Sequence, residues 1–277
     1  MGVIKQAIGA IAILCCAGTS VAQSDELRIG GTGSAYVLMQ RLSAAFRTAN
    51  PGDRVEIIPG LGSGGGIAAL LEGVLDLSTS GRVLNSAERA KGLASFPLLE
   101  TPFAFVTSGP AGLSLRKNDV VAIYGGELTK WPDGEAIKPV LRPKSDAVTL
   151  FMLANFAGMS AAMDKLRERP DVPVAPTDQD SVMAAEKIPN SFAPMTLLQY
   201  VAERPQLRLI ALDGVVPSLQ SMEDGTFPLK TTIHVVKTPQ PSAVALRFMA
   251  FLGSTAAEAI IRENGGQPSL ISRGAIH

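Results

Sequence analysis

Apolar and polar positions alternate with two different periods along residues 26–90. Residues 35–49 carry apolar side chains every three or four positions, which predicts one amphipathic helix that ends at Asn50-Pro51. Short apolar runs bounded by glycine or proline indicate strands. The predicted strands are 26–30, 55–58 and 75–79, and a second helix is predicted over 67–73. This repeated order of strand, loop and helix predicts an α/β fold with parallel strands and helices on the faces of the sheet.

Proline and glycine become more frequent beyond Phe103, and the predicted elements continue with less regular spacing. Strands are predicted over 140–141, 207–212 and 231–237. Helices are predicted after Asn85, from Asp146 to Phe156, over 160–169, 181–187, 196–202 and 242–252, and from Thr255. Asn85 and Thr255 are each followed by glutamate three residues later, which is the spacing of a capping box.

The first 22 residues have the pattern of a secretory signal peptide. Lys5 is followed by an apolar run over 7–18, and small residues precede the predicted cleavage after Ala22. An apolar run of this length is too short to span a bilayer. Both cysteines, Cys15 and Cys16, lie inside the segment, so the mature chain has none and is predicted to use neither disulfides nor thiolate zinc sites. We expect an exported, periplasmic protein.

Composition narrows the classes of function. The chain is 46% hydrophobic and 18% charged, which is typical of a folded protein and excludes a disordered one. Lysine and arginine together number 25, as do aspartate and glutamate, so no basic field favours nucleic acid. The two histidines are His234, inside a predicted strand, and the C-terminal His277. Neither has the surroundings of a general base, so an enzyme is not expected, and no metal or cofactor is implied.

Small hydroxyl residues stand between glycines at three successive strand ends. Free N–H groups at helix starts and neutral hydroxyl donors suit a small anion, and glycine lets it approach the backbone. In a parallel α/β sheet such loops lie together at the carboxyl edge. An arginine after the third loop could offer a two-pronged contact to an oxyanion. The candidate ligand-binding residues are Thr32, Gly33, Ser34, Ser63, Gly64, Ser80, Gly81 and Arg82. Taken singly, each loop is better explained by helix caps and tight turns, but three loops in register favour a binding site.

A dinucleotide-binding enzyme is a weaker alternative. Residues 60–65 satisfy G-x-G-x-x-G between a predicted strand and a predicted helix. The fingerprint belongs on the first strand of its unit, however, and here another strand and glycine loop come before it. The next strand ends in Gly81-Arg82 where the fingerprint calls for an acidic residue.

The order of these segments resembles the phosphate-binding (PstS-like) type of periplasmic substrate-binding protein, the secreted receptor of ABC uptake systems. The resemblance covers nearly all of the mature chain. It rests on segments 31–34, 59–73, 76–84, 123–131, 140–142, 213–217, 227–229 and 232–237. It implies a two-lobed α/β fold with a central mixed sheet flanked by helices in each lobe, joined by crossing strands that act as a hinge. We expect lobe one at 23–105 plus 230–277 and lobe two at 106–229.

The resemblance also implies which residues hold the ligand. Contacts would come from the loops already named, and from Arg142 and Ser145 ahead of the lobe-two helix. The family usually has a Ser-Gly-Thr run there, whereas this chain reads Ser145-Asp146-Ala147-Val148-Thr149. Asp146 either caps the helix or accepts a proton from a protonated ligand.

The expectation is therefore an exported, monomeric, non-enzymatic protein that captures a phosphate-like oxyanion between two lobes and delivers it to an ABC permease. The alternative within this family is a periplasmic sensor that presents its closed form to a membrane receptor.

Overall fold

The computed structural model describes residues 26–269, so the predicted signal peptide lies outside the described residues. The strands are β1 (Glu26–Gly31), β2 (Arg54–Ile58), β3 (Leu77–Ser80), β4 (Ala94–Thr107), β5 (Ser114–Leu115), β6 (Lys138–Pro139), β7 (Ser191–Thr196), β8 (Arg208–Leu212), β9 (Lys230–Lys237) and β10 (Gln267–Pro268). The α-helices are α1 (Tyr36–Ala49), α2 (Gly62–Leu71), α3 (Ser86–Ala90), α4 (Lys117–Gly125), α5 (Ala147–Asn155), α6 (Met159–Arg167), α7 (Asp178–Lys187), α8 (Leu197–Glu203), α9 (Leu219–Glu223), α10 (Ala243–Leu252) and α11 (Thr255–Glu263), and a 3-10 helix covers Gly33–Ala35.

The first three strands form the parallel sheet that the sequence predicts. β1 lies in the middle, with Ile29 opposite Ile57 of β2 and Leu77 of β3. β9 then pairs antiparallel with β3, so the whole sheet is mixed. The carboxyl ends of β1 and β3 meet at one edge, where the Thr32 N–H donates to the Thr79 carbonyl oxygen at 2.9 Å. The two loops that follow these strands are therefore neighbours.

β4 is the strand that joins the two halves of the molecule. Its first part pairs with β9, and residues 103–107 pair with β7 and β8. One apolar core lies around α1, α10 and α11, and a second lies around α4, α5 and α6. The fold is thus two-lobed, with helices around a central mixed sheet, as predicted. The expected boundaries at residues 105 and 230 remain a prediction.

Several predicted elements differ from the structure. α2 begins at Gly62 rather than residue 67, because glycines without Cβ let this helix lie directly against β1. α7 begins at Asp178 rather than residue 181. The strand predicted at 140–141 lies at β6, two residues earlier, and Leu141 makes only an isolated bridge. Ser254 caps α11, so the capping box predicted at Thr255 is wrong.

Within residues 26–269 no single helix is both long and apolar enough to cross a membrane. Taken together, α10 and α11 have the length and apolar composition of a membrane-spanning segment, but the two helices are bent by 65° from each other. Phe248 of α10 and Ile261 of α11 both lie in the first core.

His234 gives stability a pH dependence that can be measured. It lies on β9 opposite Ser80, and partial burial lowers the pKa of its imidazole below the ordinary value. The unfolded chain therefore binds a proton at a higher pH than the folded chain, and the folded state loses stability as the pH falls below about 6.5. We expect His234→Gln to flatten this loss in urea unfolding between pH 7.5 and 5. Parallel pH curves for His234→Gln and the wild type would contradict this assignment.

Candidate functional site

The loop after β1 is shaped by close contact with β3. Gly31 has a φ of +136°, and a Cβ at this position would lie 2.0 Å from the Thr79 carbonyl oxygen, so only glycine fits. The chain then turns into the 3-10 helix with Thr32 and Ser34 buried. Their hydroxyl oxygens lie 3.1 Å apart. The loop thus carries two adjacent buried hydroxyls and the Ser34 N–H.

The other two glycine–hydroxyl loops converge on the first, as the sequence predicts. The Gly81 N–H donates to Ser63 Oγ at 2.9 Å, which ties the start of α2 to the end of β3. A Cβ on Gly81 would lie 3.7 Å from Thr32 Oγ1 and 3.8 Å from Ser63 Oγ. Thr32, Ser34 and Ser63 therefore form one buried group of hydroxyls around Gly81. Because Ser63 Oγ accepts from Gly81, its own proton remains available to a ligand.

Several other candidates are not brought into this group. Ser80 Oγ donates to the Arg82 carbonyl oxygen at 2.7 Å and so closes its own turn. The Arg82 guanidinium donates to both carboxylate oxygens of Glu88, at 2.9 and 2.7 Å. Gly64 and Ser145 are exposed. The two-pronged contact predicted for Arg82 exists, but its partner is Glu88, the glutamate of the α3 capping box.

Arg142 lies between two carboxylates in lobe two. Its guanidinium donates to Asp146 Oδ2 at 2.8 Å, to the Ala175 carbonyl oxygen at 2.8 Å and to Asp178 Oδ1 at 3.4 Å. The side chain is 2% exposed. Two acidic groups therefore share one buried cation, which leaves this cluster with excess negative charge when all three are ionised.

Asp146 caps the lobe-two helix, which was one of the two roles that the sequence left open. Its Oδ1 accepts from the Val148 N–H at 3.0 Å, the contact expected of an N-cap residue. The same carboxylate pairs with Arg142, so one residue fixes both the helix start and the arginine.

Asp178 is the site residue that the sequence analysis missed. It is the first residue of α7, and its Oδ2 accepts from the Ser34 N–H at 3.0 Å, across 144 positions of sequence. A signal exists in the sequence, because Thr177 and Asp180 have capping-box spacing and form that box in the structure. That box would have placed the start of α7 at Asp178, although not the contact of Asp178 with Ser34.

The Asp178 carboxyl lies in an environment that disfavours its charge. Burial raises its pKa above the ordinary value, and the Asp146 carboxylate adds to the rise. The Arg142 guanidinium and the Ser34 N–H act in the opposite direction but do not cancel the effect of burial. Beside Asp178, where α7 meets the loop after β1, the Gln179 Nε2 donates to the Gly33 carbonyl oxygen and to Glu203 Oε1, each at 2.9 Å. Burial also raises the pKa of the Glu203 carboxyl.

A small cavity separates the lobes beside these groups. Its volume is about 20 Å³, which has room for about one water molecule. Its lining is mostly apolar, with four hydroxyl residues on it: Thr32, Ser34, Thr196 and Thr231, beside Gly81, Phe103, Ala147, Val148, Phe151 and Ile233. A tetrahedral oxyanion is larger than this space, so binding one here requires the walls to move apart.

Comparison with known proteins gives the family. A family profile described as PBP superfamily domain matches residues 17–256. The phosphate-binding protein PstS of Xylella fastidiosa is 30% identical over 125 residues, which cover 43% of this chain and 34% of that protein. The matched stretch thus spans only about a third of this relative.

Two solved structures share the fold. A candidate phosphate ABC transporter substrate-binding protein of Clostridium perfringens, with bound phosphate, has a TM-score of 0.77 at 17% identity, covering 88% of this chain and 100% of that chain. An ABC-type phosphate transport receptor of Vibrio cholerae has a TM-score of 0.63 at 19% identity, with coverage of 88% and 100%. The residues that match the family profile include the three hydroxyl loops and the Arg142 cluster. The chain belongs to the PBP superfamily.

Proposed function

We propose that the protein captures a small oxyanion of the phosphate class between its lobes and delivers it to an ABC permease. The observation that carries the proposal is the convergence of the Thr32, Ser34 and Ser63 hydroxyls around Gly81 at the edge of the cleft. Buried neutral donors can hold an anion through hydrogen bonds, each stronger because the acceptor is charged. The relative and the two solved structures named above, which are described as phosphate-binding or phosphate-transport proteins, support the same ligand class.

The proposal extends to location and mode of action. The protein acts outside the cytoplasm after export, as a monomer, with the lobe boundaries near residues 105 and 230. It binds and releases its ligand without chemical change, by opening and closing the cleft about the crossing strands β4 and β9.

The direct test is calorimetric titration of the mature protein with phosphate, arsenate and sulfate, with a parallel thermal-shift series. A ligand at a hundredfold excess over its dissociation constant stabilises the folded state by about 2.7 kcal/mol, so a visible rise in Tm is expected with phosphate. NADPH is the comparison for the dinucleotide alternative and is expected to give none. Absence of heat and of any Tm shift with all three oxyanions would contradict the proposed function.

Ser63→Ala is expected to weaken phosphate binding. The change removes a hydroxyl donor to a charged acceptor, a loss on the order of 1.5–3 kcal/mol, or roughly 10- to 150-fold in Kd. Titration calorimetry measures the effect, and urea unfolding monitors the accompanying loss of the Gly81 contact. Ser86→Ala, at an exposed position on α3, is the matched control and should keep the wild-type affinity. Equal affinity in both variants would remove Ser63 from the site.

A further inference from the structure

A carboxylate of the protein itself occupies a backbone donor in the loop to which the proposed function assigns the oxyanion. Asp178 Oδ2 accepts the Ser34 N–H at 3.0 Å, next to the Thr32 and Ser34 hydroxyls. A carboxylate and a phosphate present the same kind of acceptor, a charged oxygen, to such a group. The position of Asp178 is thus chemically that of a ligand.

The fit around this carboxylate is close. A Cβ added to Gly33 would lie 2.8 Å from both Cβ and Oδ2 of Asp178, so the start of α7 lies directly against the loop. Gln179, the next residue, donates to the Gly33 carbonyl oxygen at 2.9 Å. Two successive residues of lobe two therefore hold the lobe-one loop from either side of its backbone.

The cation that could attract an anion is already neutralised. The Arg142 guanidinium donates to Asp146, Asp178 and the Ala175 carbonyl oxygen, which engages Nε and both terminal nitrogens. An incoming anion that kept both carboxylates in place would meet a cluster of excess negative charge. The cavity beside it has a volume of about 20 Å³ and would have to expand in any case.

We propose that Asp178 is an internal ligand that competes with the oxyanion for the Ser34 N–H and for Arg142, and that it sets how tightly the anion binds. This inference rests on the proposed function. Capture then requires the first turn of α7 to withdraw from the Gly33–Ser34 backbone as the anion enters. Asp178 is a determinant of affinity because its charge and its position both oppose an anion at the same donors.

The test compares Asp178→Asn with Asp180→Asn. Both remove one carboxylate from the first turn of α7, but Asp180 accepts from Thr177 within the capping box and does not face Ser34. Calorimetric titration with phosphate is expected to give a Kd at least tenfold lower for Asp178→Asn than for the wild type, and an unchanged Kd for Asp180→Asn. Equal or weaker phosphate binding by Asp178→Asn would overturn the inference, and weaker binding would make Asp178 a proton acceptor from the ligand instead.

A second measurement needs no ligand. Hydrogen exchange of the Ser34 amide is expected to be slow in the wild type and in Asp180→Asn, and at least tenfold faster in Asp178→Ala. Equal exchange rates in all three proteins would show that Asp178 does not hold this amide and would overturn the inference. If no variant binds any oxyanion while the Ser34 amide still depends on Asp178, the proposed function fails and the internal contact stands.

Discussion

Arg142→Ala is expected to lower the free energy of unfolding by about 3–5 kcal/mol, because it leaves two buried carboxylates without their shared cation. Asp146 and Asp178 would face each other's charge, and the Ala175 carbonyl oxygen would lose its donor. The guanidinium is 2% exposed, so water cannot replace it without opening the structure. Urea unfolding at pH 7, monitored by the Trp131 fluorescence in the second core, measures the change.

The control for this prediction is Arg169→Ala. Arg169 forms an ion pair with Asp171 at 2.6 Å, but both side chains are at least half exposed. Exposed pairs contribute about 0–1 kcal/mol, so the loss should be small. The double variant Arg142→Ala/Asp178→Asn should recover part of the stability, because it removes one of the two carboxylates left without a cation. A loss for Arg142→Ala as small as that for Arg169→Ala would contradict the burial argument.

Locally encoded features of this fold are predictable from the sequence. Asn85 and Glu88 form the capping box that their spacing predicts, since both partners lie within one turn. Asp146 caps α5 for the same reason. The convergence of the hydroxyl loops follows from the parallel order of β1 and β3, which places their carboxyl ends at one edge.

Features that depend on distant contacts are not predictable in this way. Pro194 argues against a central strand, yet β7 lies between β4 and β6 and all of its residues are buried. Gly62–Gly66 have poor helix propensity and still form the start of α2, since tertiary packing outweighs propensity there. In both cases the deciding neighbour is more than thirty residues away in sequence.

The charged residues of the cleft show the same difference between local contacts, which the sequence predicts, and distant contacts, which it does not. The sequence identifies Arg82 as a candidate anion contact by its place after the third loop, and Arg142 through the family resemblance. The partner of Arg82 is Glu88, only six residues away, in the helix that directly follows the Arg82 turn. The second partner of Arg142 is Asp178, 36 residues away on another helix. The charge balance of the site is therefore a tertiary property, and it differs from what either arginine suggests alone.

The hydroxyl loops keep their positions because α2 lies against β1 with no side chain between them. A Cβ on Gly66 would lie 2.5 Å from the Gly31 Cα and 2.6 Å from Ser78 Oγ. The Gly31 atom belongs to the backbone and cannot turn aside, so the helix would have to move. Ser63, which begins the same helix, would move with it and away from Gly81.

Gly66→Ala is accordingly expected to destabilise the protein by about 1–3 kcal/mol through overpacking, even though alanine favours helix formation. Gly64→Ala is the matched control, two residues away on the same helix, because a Cβ there meets no atom within 4 Å. Gly64→Ala should leave the free energy of unfolding unchanged or raise it by about 0.4–1 kcal/mol, since it restricts the unfolded chain. Urea unfolding of the two variants side by side separates helix propensity, which favours both changes, from contact with β1, which opposes only one. If both variants were equally stabilised, α2 could not lie as close to Gly31 as described, and the placement of Ser63 at the cleft would lose its structural basis.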